Sequence, residues 1–231
     1  MTIFRLKQLA STSFHAAAGA MHWNYDRAEI IADGIIHAIG VLSGIIAATV
    51  LMVLAVVYAD TTDIVGVSVY VAGLLSMLVL SATYNLWPVS RAKWVLRRFD
   101  HSAIYILIAA TYTPFIMEVK ESVLAIVLLI GVWCAAIAGI VLKLKFPGRF
   151  DRLSVGLYLV MGWSGMMLYD SVVKALPAMA MGFIVAGGVL YTLGVVFHAW
   201  QRLRFQNAIW HGFVLGGAVC HYTAVLDIVL K

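Results

Sequence analysis

Residues 122–142 read SVLAIVLLIGVWCAAIAGIVL, a run of 21 positions without a charged side chain. A membrane-spanning helix needs about 20 predominantly apolar residues, because the hydrocarbon layer is about 30 Å thick and an α-helix rises 1.5 Å per residue. The whole chain of 231 residues is 63% hydrophobic and 12% charged, whereas soluble domains carry about 25% charged residues. The segment and the composition together predict a multi-pass membrane protein and exclude a soluble or disordered chain.

Six further segments of similar character accompany this one. They are about twice as long as the strands of a membrane barrel and lack the alternation of polar and apolar residues that such strands need. The third and the fifth segments are the least regular, because Asp100 opens the third while Trp163 and Ser164 interrupt the fifth. We predict an all-α membrane protein with seven transmembrane helices, over residues 34–58, 64–87, 100–118, 122–142, 153–170, 176–198 and 206–229.

Lysine and arginine residues lie mostly on one side of this predicted bundle. Thirteen of the 16 fall in the N-terminal segment and in the second, fourth and sixth loops, and the remaining three are Lys120, Lys174 and Lys231. Because basic loops stay in the cytoplasm, we predict a cytoplasmic N-terminus, an external C-terminus and a location in the cell (inner) membrane. The same distribution accounts for the net charge of +5 without a nucleic-acid partner.

The chain divides into residues 1–28, a cytoplasmic segment, and residues 29–231, the predicted transmembrane domain. The first segment places Arg5 and Lys7 among apolar residues. Such a segment is either a short amphipathic helix on the anionic inner leaflet or an unstructured tail. Because the predicted outer loops are only a few residues long, we expect membrane lipids and a small lipidic molecule as partners rather than a folded protein ligand. The sequence indicates no particular protein partner.

Ionisable and amide side chains cluster at one end of the predicted helices. An aspartate at mid-bilayer costs about 2.5–3.5 kcal/mol, so residues of this kind mark functional positions. Residues four apart in a helix share one face. The cluster contains Glu29, Asp33 and His37 in the first helix, Ser81 and Asn85 in the second, Asp100 and His101 in the third, His198 in the sixth, and Asn207 and His211 in the seventh. Their common depth predicts a polar or metal site near the inner leaflet. Taken singly, each of these residues is an ordinary helix-end group.

Several of these residues stand in longer stretches that resemble the hemolysin III family, the bacterial branch of the progestin and adipoQ receptor superfamily. The resemblance extends from about residue 28 to the end of the chain, in the same order along the helices. It is carried by AEIIADGIIHAIG at 28–40, SATYN at 81–85, RFDHSAIY at 98–105, TYTP at 111–114 and AIWHGF at 208–213. It implies a seven-helix fold with an internal N-terminus.

The resemblance also implies a metal site. In the family, the second helix supplies one histidine and the seventh supplies two, while an aspartate at the start of the third helix holds the activated water. Three imidazoles leave zinc an open, catalytic position. The family therefore implies a zinc-dependent, ceramidase-like hydrolase, in which His211 binds the metal and Ser81 and Asp100 are the catalytic residues.

This chain departs from the family pattern at two ligand positions. Asn85 and Asn207 stand where the family has histidine, which leaves His211 as the one retained imidazole of the three. Zinc favours histidine and cysteine, and an amide oxygen is a weak ligand for it. We therefore expect a degenerate site that does not hold zinc as the family's site does.

Three alternatives follow from this departure. The amide oxygens, Asp100 and water suit a harder cation such as Mg²⁺, Mn²⁺ or Ca²⁺. Alternatively, His198 or His37 replaces the missing ligands and zinc is bound in a different geometry. In the third alternative no metal binds, and Asn85, Asp100, Asn207 and His211 form a hydrogen-bonded network across the second, third and seventh helices.

Two classes of function remain. The helical frame that the chain shares with the family, combined with the lost ligands, favours lipid sensing or a role in membrane homeostasis. The alternative is a metal-dependent hydrolase of a lipid amide or ester. A cytolytic pore, which the family name suggests, ranks last because it needs a polar conduit, and no charged residue lies at the middle of a predicted helix. A proton pump or a transporter is disfavoured for the same reason.

Overall fold

The computed structural model describes residues 25–119, 122–146 and 148–231, and within these ranges the chain is helical without β-strands. Residues 1–24 lie outside the described residues, so the two alternatives for the N-terminal segment stay predictions. The elements are α1 (Arg27–Tyr58), α2 (Thr61–Leu86), α3 (Arg91–Met117), α4 (Val123–Lys145), α5 (Asp151–Trp163), a 3₁₀ segment (Ser164–Leu168), α6 (Tyr169–Ala175), α7 (Ala178–Ala199) and α8 (Gln206–Val229).

The seven predicted helices are confirmed, with α5, the 3₁₀ segment and α6 together occupying the place of the fifth. Among the described helices, α1, α2, α4, α7 and α8 are long and apolar enough to cross a membrane. The remaining two spans, the third and the fifth, are the ones that are least regular in the sequence. Helix α3 carries charged residues through its first three turns, and α5 has only 13 residues.

Two helices begin earlier than predicted, because polar caps extend them beyond their apolar windows. Helix α1 begins at Arg27 rather than at residue 34, and α3 begins at Arg91 rather than at residue 100. The Asp26 side chain accepts the backbone N–H of Glu29 at 2.9 Å, and the Glu29 carboxylate accepts the N–H of Asp26 at 2.8 Å. This reciprocal capping box satisfies donors that would otherwise be orphaned at the helix start.

The interruption after Trp163 is built around the hydroxyl group of Tyr112 in α3. This hydroxyl lies 2.8 Å from the carbonyl oxygen of Met161 and 2.9 Å from that of Gly162, and it accepts the backbone N–H of Gly165 at 2.7 Å. A broken helix at membrane depth requires partners for the backbone groups that leave the α-helical ladder. Tyr112 supplies them, which allows the fifth span to bend.

Large apolar side chains cover the surface of the bundle, while others are fully buried inside it. Ile46 on α1 is 66% exposed and Val123 on α4 is 75% exposed, whereas Tyr70 and Tyr105 are fully buried. Exposed apolar side chains in such number form a surface suited to lipid rather than to water. The perimeter and the span-length helices establish a multi-pass helical architecture.

The order of packing brings the first and the last long helices into contact. Helix α1 packs between α2 and α8, α3 packs on α2 and α4, and α7 packs on α8. The start of α1 and the α2–α3, α4–α5 and α7–α8 connections form one end of the bundle, which we call the basic end. The polar residues singled out in the sequence lie near this end.

Candidate metal-binding site

Asp33 is the centre of a buried polar cluster at the basic end. It lies on α1 with only 7% of its surface exposed. One carboxylate oxygen, Oδ1, lies 2.6 Å from Nδ1 of His211 on α8. The other, Oδ2, accepts a hydrogen bond of 2.9 Å from the side-chain amide of Asn207. Both contacts join the first apolar helix to the last one.

His37 lies one turn further along α1, on the same face as Asp33. Its ring centroid is 4.4 Å from that of His211, and its Nε2 atom is 3.5 Å from Oδ2 of Asp33. That Nε2 atom is buried and has no hydrogen-bond partner among the described residues. A buried nitrogen without a hydrogen bond is costly, and here it lies beside the candidate ligands Asp33 and His211.

A second layer of amide groups continues from Asp33 to α2. The Asn207 amide also donates to the side-chain oxygen of Asn85 at 3.1 Å. The Asn85 amide in turn donates to the backbone oxygen of Ser81 at 3.0 Å and lies 3.4 Å from its hydroxyl oxygen. Of the two asparagines at the family's histidine positions, Asn207 therefore contacts the carboxylate of Asp33 directly, and Asn85 supports Asn207.

A junction at the helix ends sets the register of this cluster. The Glu29 carboxylate accepts the backbone N–H of Phe205 at 3.0 Å, and the guanidinium of Arg204 lies 3.1 Å from the Asp26 carboxylate. Phe205 has a φ of 59°, a left-handed conformation that is uncommon for a residue with a side chain. The N–H of Glu29, assisted by Arg204, lowers the pKa of Asp26 and keeps this cap ionised. Because Asp33 follows Glu29 by one turn, the junction places it opposite the start of α8.

The donor atoms at the centre of the cluster fit a metal ion. Asp33, His37 and His211 each offer one ligand atom, and these atoms lie within 4.8 Å of one another. Two imidazoles and one carboxylate form a donor set that catalytic zinc sites use, and transition metals with open positions use it as well. The buried Nε2 atom of His37, which has no hydrogen bond within the described residues, is the observation that makes this fit specific.

The structure brings the five residues of the family-type site to the wall of one cavity. They are Ser81, Asn85, Asp100, Asn207 and His211, and Asp33 and His198 line the same cavity. His198 is not one of the three residues whose candidate ligand atoms lie close together, and its ring packs on Trp210 with a centroid distance of 4.9 Å. The Oδ2 atom of Asp100 lies 4.0 Å from Nε2 of the adjacent His101.

The hydrogen bonds of Asn207 and His211 centre on a residue that the predicted network did not include. The carboxylate that Asn207 and His211 contact is Asp33 of α1, and not Asp100 of α3. Asp33 was absent from the predicted ligands, although its spacing of four from His37 placed both residues on one helical face. The sequence carried that local signal but no signal for the contact with α8, which lies 178 residues away.

The cavity has a volume of about 1740 Å³ and extends along the bundle from the basic end. Both His211 and His221 lie on its wall, and ten residues of α-helix separate them by about 15 Å. Its charged side chains, Asp33 among them, all belong to the segments of the basic end. Its apolar part is lined by residues that include Leu107, Phe115, Leu168, Val172, Met181 and Ile184.

Comparison with known proteins agrees with this architecture. Residues 28–222 match the family described as Haemolysin-III related. The chain is 38% identical over 203 residues to the Hemolysin-3 homolog of Bacillus subtilis (strain 168), covering 88% of this chain and 95% of that protein. It is 35% identical over 202 residues to Hemolysin-3 of Bacillus cereus, covering 87% and 92%.

A weaker similarity reaches animal proteins. The monocyte to macrophage differentiation factor of Homo sapiens is 29% identical over 165 residues, which cover 68% of this chain and 67% of that protein. This match supports the link to the progestin and adipoQ receptor superfamily. With its span-length apolar helices and the family match over most of its length, the chain is a multi-pass membrane protein of the Haemolysin-III related family.

Proposed function

We propose that this protein binds an amphiphilic, lipid-like molecule in its cavity, with a divalent cation held by Asp33, His37 and His211 at the polar end. The observation that carries the proposal is the shape of the cavity, which joins a buried polar end to a long apolar body. Ligand sites are typically mostly apolar, with a few convergent polar groups that fix orientation. Lipid sensing in membrane homeostasis is the role that this arrangement supports best.

Zinc is the cation that we propose for this site. Two of the three donors are imidazoles, which suit zinc, whereas Mg²⁺ and Ca²⁺ prefer oxygen ligands throughout. His37 is one of the two replacement ligands expected from the sequence, and Asp33 adds the third donor that Asn85 and Asn207 do not supply. The amides of these asparagines would then act as outer partners that orient Asp33.

Hydrolysis of a lipid amide or ester is the second candidate function. It is favoured by the presence of Asp100 and Ser81 on the wall of the cavity that Asp33 and His211 also line. Zinc, when bound, supplies Lewis-acid polarisation of a carbonyl and activation of water. Asp100 would accept the proton of the attacking water, and Ser81 would donate a hydrogen bond to the substrate.

We also propose that the basic end faces the cytoplasm. Of the 13 Lys and Arg residues that the structure describes, 11 belong to the segments of this end, and basic segments are retained on the cytoplasmic side. The cavity would then take its polar head group from the inner leaflet.

The lipid-binding proposal is tested by filling the cavity with one tryptophan. Val195 and Val196 are neighbours on α7, but only Val195 lines the cavity, whereas Val196 is 57% exposed on the perimeter. The protein and both variants, Val195→Trp and Val196→Trp, are purified from membranes, and their retained lipid is extracted and quantified by mass spectrometry. We expect Val195→Trp to lose the lipid that the parent protein and Val196→Trp retain. Equal amounts in all three would contradict the proposal.

A further inference from the structure

We infer that the amphiphile in this cavity carries an anionic head group, which binds to a set of four basic residues that we call the cationic rim. The cationic rim consists of Arg97, Lys143, Arg152 and Arg202, and all four line the cavity at its basic end. The inference rests on the proposed function, because it specifies the chemistry of the molecule that the cavity holds.

Two members of the cationic rim are buried and share one counter-charge. Arg97 is 9% exposed and Lys143 is 2% exposed. The Arg97 guanidinium lies 2.7 Å from one oxygen of Asp151, and the Lys143 ammonium lies 2.7 Å from the other. A buried charge is costly unless it is paired, and here two cations meet a single carboxylate.

The other two members lie at the mouth of the cavity. Arg152 at the start of α5 and Arg202 in the α7–α8 connection are both exposed. Within the described residues, neither forms an ion pair or a side-chain hydrogen bond. Both side chains are therefore available to a ligand that enters at this end.

The charges along the whole cavity wall have a positive excess. Six Lys and Arg residues and four Asp and Glu residues line it, a formal excess of two positive charges before any metal ion is bound. Lys93 and Arg204 are engaged elsewhere, since Lys93 donates to backbone oxygens of Asn85 and Trp87 and Arg204 pairs with Asp26. The four positive charges of the cationic rim are then opposed by Asp151 and by Asp100, so the rim keeps an excess of two positive charges.

This arrangement suits a phosphate or a carboxylate at the end of an acyl chain. Guanidinium groups bind such anions through two parallel hydrogen bonds. The apolar part of the cavity is then available to the acyl chain, and the anion balances the excess charge of the cationic rim. A head group with a fixed positive charge would be repelled by the same residues.

The inference is tested with two monoacyl lipids that share one acyl chain. Binding of lysophosphatidic acid and of lysophosphatidylcholine is measured on the purified full-length protein in neutral detergent, with inorganic phosphate as a third probe. We expect the phosphate head group to bind about tenfold more tightly than the choline head group, because tenfold corresponds to one or two additional charge contacts. Inorganic phosphate alone should bind weakly.

Exposed arginines provide a pair of variants that leave the fold intact. Arg152→Gln combined with Arg202→Gln should weaken binding of lysophosphatidic acid about fivefold, the effect of losing two solvated charge contacts. Arg91→Gln combined with Arg149→Gln removes the same charge from exposed positions at the same end that do not line the cavity. This control should bind as the parent does.

Each contrary outcome has a distinct meaning. Equal affinity for the two head groups would overturn the inference while the proposed lipid binding stands. Binding of neither lipid would contradict the proposed function itself. Tight binding of inorganic phosphate, with no gain from the acyl chain, would assign the cationic rim to a free anion and overturn the lipid head group.

Discussion

The Nδ1 atom of His211 lies 2.6 Å from Oδ1 of Asp33, across the contact between the first and the last of the long apolar helices. The same aspartate accepts the amide of Asn207 and lies beside His37. Residues of the first and the last long helices thus form one polar cluster.

Asn207 is predicted to act as a positioning residue for Asp33. Replacing it in Asn207→Ala removes the hydrogen bonds to Asp33 and Asn85. We expect zinc affinity to fall about 10- to 100-fold, as for other partners of metal ligands, with a loss of about 0.6 kcal/mol of stability per interhelical bond. Competition with a chromophoric chelator and thermal unfolding measure the two effects.

Thr223→Ala is the control for that substitution. Thr223 lies on the same helix and its hydroxyl donates only within α8, to the Val219 backbone oxygen. It should leave zinc affinity unchanged. An Asn207→Ala protein that binds zinc as tightly as this control would show that the amide does not position the site.

Glu29 is predicted to tie the start of α1 to the start of α8. Glu29→Ala removes both the capping box and the acceptor for the Phe205 N–H. We expect a loss of about 1 kcal/mol, as for other helix caps, together with faster hydrogen exchange in the α7–α8 connection. Hydrogen exchange followed by mass spectrometry measures the second effect.

Asp60→Ala serves as the comparison, because Asp60 caps α2 locally through the Asp63 N–H. It should cost a similar amount of stability and leave exchange in the α7–α8 connection unaltered. If both variants accelerate that exchange equally, Glu29 acts only as a cap and not as a junction.

The hydroxyl of Tyr112 is predicted to stabilise the bend in the fifth span. Tyr112→Phe leaves the backbone groups of Met161, Gly162 and Gly165 without this partner. We expect the free energy of unfolding to fall by about 1–3 kcal/mol, chiefly because the backbone N–H of Gly165 loses its acceptor. Tyr169→Phe, at an exposed position on α6, should have no measurable effect in the same thermal assay. Equal stability of the two variants would refute this role.

The proposed orientation is tested by cysteine labelling in whole cells. Cys134 and Cys220 are first replaced by serine, and single cysteines are then placed at Arg149 and Lys174, which are both exposed and lie at opposite ends of the bundle. We expect a membrane-impermeant maleimide to label Lys174→Cys in intact cells and Arg149→Cys only after the cells are broken. The reverse pattern would place the basic end outside.

The helical frame was predictable because span length and composition are local properties of the chain. The interruption at Trp163 and Ser164 was also visible in the sequence. The partner that permits the interruption, Tyr112, was not visible, because it lies about 50 residues away on another helix. The early starts of α1 and α3 were missed because a search for apolar windows ignores caps such as Asp26 and Ser90.

The sequence was enough to predict at which end of the helices the site lies, but not which side chains contact one another there. The distribution of Lys and Arg predicts that the polar ends of several helices lie in one layer of the membrane. Residues of that layer line one cavity in the structure. The family pattern predicts ligands at the positions of Asn85 and Asn207 and none at Asp33. Which side chain of that layer touches which depends on how α1 packs between α2 and α8, a long-range property that spacing along the chain does not encode.

Metal analysis of the purified protein tests the central claim most directly. The protein, Asp33→Asn and the exposed control Asp170→Asn are purified without added ions, and their zinc content is measured by elemental mass spectrometry with thermal unfolding as a check on folding. We expect about one equivalent of zinc in the parent and the control, as for a three-ligand protein site, and a marked loss in Asp33→Asn. Zinc-free parent protein, or full zinc content in a folded Asp33→Asn variant, would contradict the assignment of Asp33, His37 and His211 as the metal-binding group.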